Sequence, residues 1–184
     1  MEQTSVRKLA RVLRVMVLVV FACNLVALPA VPSLVYWYAN QDELEYRLNI
    51  GNSLPNLWLH GLSRVWKNSP YTFILALFLV VCGICTALIL WQGKRVLDTI
   101  LKGEPFSLDN AANLRRAAAC CFLISGMALV RLVWGLADYG DIGPLFSYNA
   151  LFVPAFLMGG LLFMVMSALF LQAARLKAEN DLTI

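Results

Sequence analysis

Charge is scarce in this chain: charged residues make up 14% of its 184 positions, against 60% hydrophobic. An ordinary soluble domain carries roughly 25% charged residues, so this composition excludes a conventional water-soluble fold and points to the bilayer. Histidine is nearly absent. His60 stands alone, and with no repeated Cys/His cluster the sequence gives no basis for a metal site. A Gly-rich phosphate loop, a nucleophile–base pair and a carboxylate pair within an apolar run are all missing, as is any internal repeat. The expectation is a non-enzymatic protein with no catalytic residue and no cofactor. The net charge of +4 does not indicate direct nucleic-acid binding, because the basic residues flank apolar runs and form no basic domain.

What is present is apolar length. Runs at about 15–36, 71–91, 117–136 and 151–171 each approach the ~20 residues a transmembrane helix needs. The first follows a basic start, Arg7, Lys8, Arg11 and Arg14, and ends on an aromatic girdle at Tyr36, Trp37 and Tyr38. A signal peptide shares the basic start, but here the apolar run is too long. Pro29 and Pro32 predict a kink or an end to the helix near its outer side. The second helix is expected to run on to Lys102. That is ~32 residues or ~48 Å, against a hydrocarbon core of ~30 Å, so its excess projects from the membrane.

Residues 37–70 form the one large loop. Leu44, Tyr46, Leu48 and Ile50 alternate with polar residues as in a strand. After Ser53, Leu54, Leu57, Trp58, Leu62, Val65 and Trp66 recur at helical spacing, which predicts an amphipathic helix on the outer face with His60 on its polar side. Of the lysines and arginines, eleven fall at the two ends and in the middle linker, three fall in this loop, and Arg131 falls inside a span. The positive-inside rule then places both termini and the linker in the cytoplasm. The fold expected is all-α and integral to the membrane: four transmembrane helices in one antiparallel bundle, with a cytoplasmic hairpin tip at 92–116 and a cytoplasmic tail at 172–184.

The tip carries readable local structure. Val96, Leu97, Ile100 and Leu101 form a helical stripe opposite Lys94, Arg95, Asp98 and Lys102. Gly103 has the place of a helix C′ residue, and Pro105 forbids continuation. Ser107 is a suitable N-cap, with Asp109 in the first turn where the helix dipole favours an anion. The turn Gly103-Glu104-Pro105-Phe106-Ser107 exposes an apolar ring at a polar tip, and such a ring calls for cover. The tail offers Leu182 and Ile184, with Glu179, Asn180 and Asp181 beside them to face Arg115, Arg116 or Lys102. The tail is expected to fold back on the Phe106 turn, to add as a strand to a partner, or to fray as a free terminus.

Polar groups within the spans are the remaining suspects. Arg131 either snorkels outward and pairs with Asp138, or contacts a ligand or ion. Asn24 is a candidate hydrogen-bond partner for it. That set supports an alternative reading, a small transporter or permeation accessory. Cys82-Gly83-Ile84-Cys85 is a CxxC, but it lies mid-membrane and the outer loops hold no cysteine. The five cysteines read as small packing residues, and a membrane thiol oxidoreductase is the least favoured function. Ala155/Gly159 and Cys121/Ser125 are small-xxx-small pairs expected at helix contacts.

The linker KGEPFSLDNAANLRRAA and the terminal LKAENDLTI together resemble the bacterial DUF2975 family, in which a G-[ED]-P-F-S-like turn precedes the third helix and the chain closes in an ENDLTI-like tail. The resemblance implies a four-helix protein of the bacterial inner membrane with no assigned activity. It also implies a cytoplasmic partner, since such genes often neighbour one for a small Cro/CI-type helix-turn-helix regulator. The function expected is a regulatory or sensor module that binds this partner through its inner face. The lipid bilayer and a second copy of the chain are its other expected partners.

Overall fold

The computed structural model describes residues 2–39, 65, 70–140, 143–146 and 148–181. All regular structure in them is helical. Helix α1 spans Glu2–Ala27, a 3-10 turn covers Leu28–Ala30, and α2 spans Val31–Ala39. Then come α3 (Pro70–Lys102), α4 (Leu108–Tyr139), a second 3-10 turn at Gly143–Phe146, and α5 (Tyr148–Asp181). Four stretches are long and apolar enough to cross a membrane: Arg7–Tyr36, Thr72–Lys102, Leu108–Ala137 and Ala150–Asn180. They correspond to the four apolar runs of the sequence, each prolonged by roughly two to three turns at the end that carries basic residues. The strand read over 44–50 and the amphipathic helix read over 54–67, with His60, lie outside the described residues except for Val65, which is helical and buried.

The expected break in the first span is there. Pro29 has no N–H to give, and the chain tightens into a 3-10 turn before Val31, whose N–H returns to the Leu28 carbonyl.

The chain divides into two compact units, Met1–Ala22 with Cys85–Ile184, and Cys23–Ile84. In the smaller one, Val35, Val65 and Ala76 form a core, with Val31, Tyr36, Phe73, Leu75 and Leu79 packed on it. Leu28 lies so close over Gly83 that any Cβ there would collide with it.

In the larger unit α4 is the packing centre. A third of its spanning window, 33%, is buried, compared with 6% for that of α1. Its buried residues, Asn110, Ala117, Cys121, Ile124 and Ala128 with Ala111, Asn113, Ala118 and Ser125, recur at helical spacing and are mostly small, so neighbours approach closely. Against α5, the Ser125 hydroxyl donates to the Val153 carbonyl at 2.9 Å and the Ser167 hydroxyl donates to the Ala111 carbonyl at 2.7 Å. Moving back along α4 from Ser125 to Ala111 moves forward along α5 from Val153 to Ser167, so the two helices run in opposite directions. Between these contacts Gly160 lies under the Phe122 ring, where a Cβ would come within 2.7 Å of it. The contact row on α5 is therefore Val153, Gly160 and Ser167. The Ala155/Gly159 pair expected there is not in it: Ala155 is exposed, and a Cβ on Gly159 would meet nothing within 4 Å. Helices α1 and α3 also run oppositely, with Phe21 against Trp91 (5.7 Å between ring centroids) and Arg14 against Asp98. Outward-facing Leu151, Met158, Leu162 and Val165 of α5 are all exposed, an apolar exterior suited to hydrocarbon.

Candidate functional site at the hairpin tip

The tip between α3 and α4 is built from backbone upward. Gly103 takes the left-handed conformation, φ 86, which other residues adopt only with strain. Its N–H returns to the Ile100 carbonyl at 3.1 Å, and the Glu104 N–H reaches the Thr99 carbonyl at 3.0 Å. These two bonds make a Schellman closure that satisfies carbonyls the helix end would otherwise leave bare. The Arg7 guanidinium comes within 3.9 Å of the position a Gly103 Cβ would take, which sets a cation near the negative end of the α3 dipole. On the far side of the turn Ser107 is extended, and its hydroxyl accepts from the Asn110 N–H at 3.3 Å, as its N-cap position requires. Asp109 sits in that first turn.

Asn110 joins these parts, and sequence reasoning missed it. It is fully buried, 0% exposed. Its side-chain amide donates to the Thr99 hydroxyl at 2.6 Å and to the Pro105 carbonyl at 2.7 Å, and Thr99 in turn donates to the Val96 carbonyl at 2.7 Å. One side chain thereby fastens the end of α3, the turn and the start of α4. A signal was present in the sequence: Asn110 lies one turn past the cap, in register with the buried stripe Ala117, Cys121 and Ile124, where an amide needs a partner.

Phe106 is the other half of the site. It remains 49% exposed, and beside it Leu108 is 61% exposed. Part of its cover comes from α5, where Phe170 lies 5.6 Å away between ring centroids at 56°. Helix α5 continues from Phe170 to Asp181, eleven residues or about 16 Å along its axis. Leu182 and Ile184 lie outside the described residues, as does the side chain of Asp181. Arg115, Arg116 and Lys102 are exposed, and Glu104, Glu179 and Asn180 are exposed too. Both Glu179 and Asn180 are engaged by neighbours.

A charged cluster borders the site. Arg14 Nε lies 2.7 Å from Asp98 Oδ1, and Lys94 Nζ lies 3.4 Å from Asp98 Oδ2. The Arg14 contact is an ion pair whose angle misses that of a hydrogen bond, since neither atom has a hydrogen-bond partner by direction. Lys94 also rides 4.9 Å over the Trp91 ring. The polar stripe on α3 thus partly faces α1.

The intramembrane suspects come out differently. Arg131 is half-buried and has an interaction partner, while the Asp138 side chain expected to pair with it lies outside the description. Asn24 is half-buried, and its side-chain oxygen accepts no hydrogen bond. Among the described residues no three His, Cys, Asp or Glu side chains converge to hold a metal.

A family model described as Protein of unknown function (DUF2975) matches residues 58–184, which include both the turn Gly103–Ser107 and the tail Glu179–Ile184. No curated protein and no solved structure matches the chain.

Proposed function

This chain belongs to the DUF2975 family, and on that premise we propose that it is a multi-pass membrane protein acting as a non-enzymatic regulatory or sensor module that docks a cytoplasmic partner on its inner face. In this reading the four apolar helices form an antiparallel bundle in the inner membrane of a bacterium, with both ends and the α3–α4 tip in the cytoplasm. Support comes from the excess of basic residues at those ends and from the opposite directions of α1 against α3 and α4 against α5.

The observation that carries the reading is Phe106: an apolar ring, half uncovered, on a turn whose backbone is fixed by Gly103, Ser107 and Asn110. Binding to a preformed tip loses little ordering entropy, and a buried aromatic is a common anchor of an interface. The partner offers an apolar pocket for Phe106 and Leu108, with acidic groups toward Arg115 and Arg116. A small helix-turn-helix regulator encoded beside the gene, as the family resemblance implies, is the first candidate.

The test is co-purification of that neighbouring gene product with the membrane protein. Phe106→Ala should reduce recovery of the partner at normal membrane abundance. Deleting Leu182 to Ile184 should reduce it as well. Undiminished recovery with Phe106→Ala would contradict the proposal.

A further inference from the structure

Helices α1 and α3 meet along a seam whose register is set by three contacts in the larger unit. Arg7 lies beside Gly103, Arg14 beside Asp98, and Phe21 beside Trp91. In an antiparallel pair, positions four after or three before a contact residue fall on the same flank of the seam, because each step turns the helix by about 100°. On α1 that rule selects Arg11 and Leu18, and on α3 it selects Arg95 and Leu88. All four are exposed, so the flank is open. On each helix it passes from leucine to arginine in the direction of the tip.

The charge along this seam is unbalanced. The Asp98 carboxylate is already engaged by Arg14 and Lys94. Among the described residues neither Arg11 nor Arg95 is paired with a carboxylate. Depth says which anion suits them. Trp91 is exposed and closes the apolar run of α3, and tryptophan settles at the membrane interface. Arg95 follows it by four residues, about 6 Å, and Asp98 with Arg14 by seven, about 10 Å. The headgroup layer is about 5–8 Å thick on each side of the hydrocarbon, so the long side chains of Arg95 and Arg14 reach phosphate depth. A soluble protein reaches that depth only through the headgroups. A phospholipid is already there, and its acyl chains have Leu18 and Leu88 to lie on.

We propose that this flank is a binding site for one anionic phospholipid. Its phosphate lies between Arg95 and the terminal nitrogens of Arg14, whose Nε faces Asp98, and Arg11 meets the outer part of the headgroup. A guanidinium fork fits two phosphate oxygens. The bound lipid ties α1, the least buried of the four spans, to α3. The site requires helices in a bilayer and not partner docking, so either can fail without the other.

The experiment is native mass spectrometry of the full chain in detergent, with phosphatidylglycerol and phosphatidylcholine of the same acyl chains added in equal amounts. Wild type should retain one phosphatidylglycerol in preference to phosphatidylcholine. Arg11→Gln combined with Arg95→Gln should weaken retention roughly 25-fold, about fivefold for each cation lost near the headgroups. Arg175→Gln combined with Lys177→Gln removes the same charge from exposed positions on α5 and should leave retention unchanged. Arg14→Lys keeps the charge beside Asp98 but loses the fork, and should also weaken retention. Equal retention of the two lipids by wild type would overturn the proposal. So would the same retention in both double variants, or displacement of the lipid by glycerol phosphate, which carries a phosphate without acyl chains.

Discussion

Removing the Asn110 amide would strip the Thr99 hydroxyl and the Pro105 carbonyl of their shared donor in a part-buried setting. Each buried group left unpaired costs about 1–3 kcal/mol, so Asn110→Ala should lower the thermal midpoint of the detergent-solubilised protein clearly. Asn110→Asp should do no better, because a carboxylate keeps the shape but has no N–H to give. Tryptophan fluorescence on heating reads both, and a midpoint unchanged by Asn110→Ala would show that the clasp does not hold the tip. At this scale the sequence was legible where rules are local. Gly103 announces a left-handed helix end, Ser107 a cap, and Pro105 a stop, because each acts within a turn of its own position. Asn110 was not, since its value depends on Thr99, eleven residues away and on another helix. Phe170 was equally hidden: no spacing rule links it to Phe106.

Helices as elements were read well by their apolar length, and each runs roughly two to three turns past that apolar run at its basic end. Which face of each helix meets which neighbour was not, because α5 is apolar nearly all round and offers no stripe to choose. The small residue that sequence reasoning would place in the contact, Gly159, is open, while its neighbour Gly160 is pressed under Phe122. A one-residue shift turns a helix by about 100°, enough to exchange contact for lipid. This yields a sharp comparison. Gly160→Val should destabilise the α4–α5 pair by about 1–3 kcal/mol through overpacking, and Gly159→Val should be nearly neutral. Combining Gly160→Val with Phe122→Ala should recover part of the loss, since the second change vacates the space the first needs. Thermal unfolding of the three variants checks this; equal effects at 159 and 160 would contradict the contact row.

At the scale of the whole molecule, composition alone separated membrane from solution, and it did so through what the chain lacks. Activity was not legible, because what the described residues offer is a surface, the half-exposed Phe106 on a fixed turn, and such a surface marks a place rather than a reaction. The topology argument rests on basic residues, which bias insertion without fixing packing. In a cysteine-free background, a membrane-impermeant thiol reagent applied to intact cells should therefore label cysteines placed at Ser53 or Asp141 and leave one at Ser107 unlabelled. Labelling of Ser107 from outside would reverse the tip and remove it from the cytoplasm.

The claim that the tip is a docking surface is tested most directly by a photo-crosslinking residue incorporated at position 106 in living cells, with position 130 as the control. Val130 is exposed on α4 but lies in the apolar part of that helix, away from the tip. The account predicts one protein adduct of discrete mass at 106, weakened when Asn110→Ala loosens the turn, and none at 130. The same adduct at both positions, or none at 106 with normal membrane abundance, would contradict it.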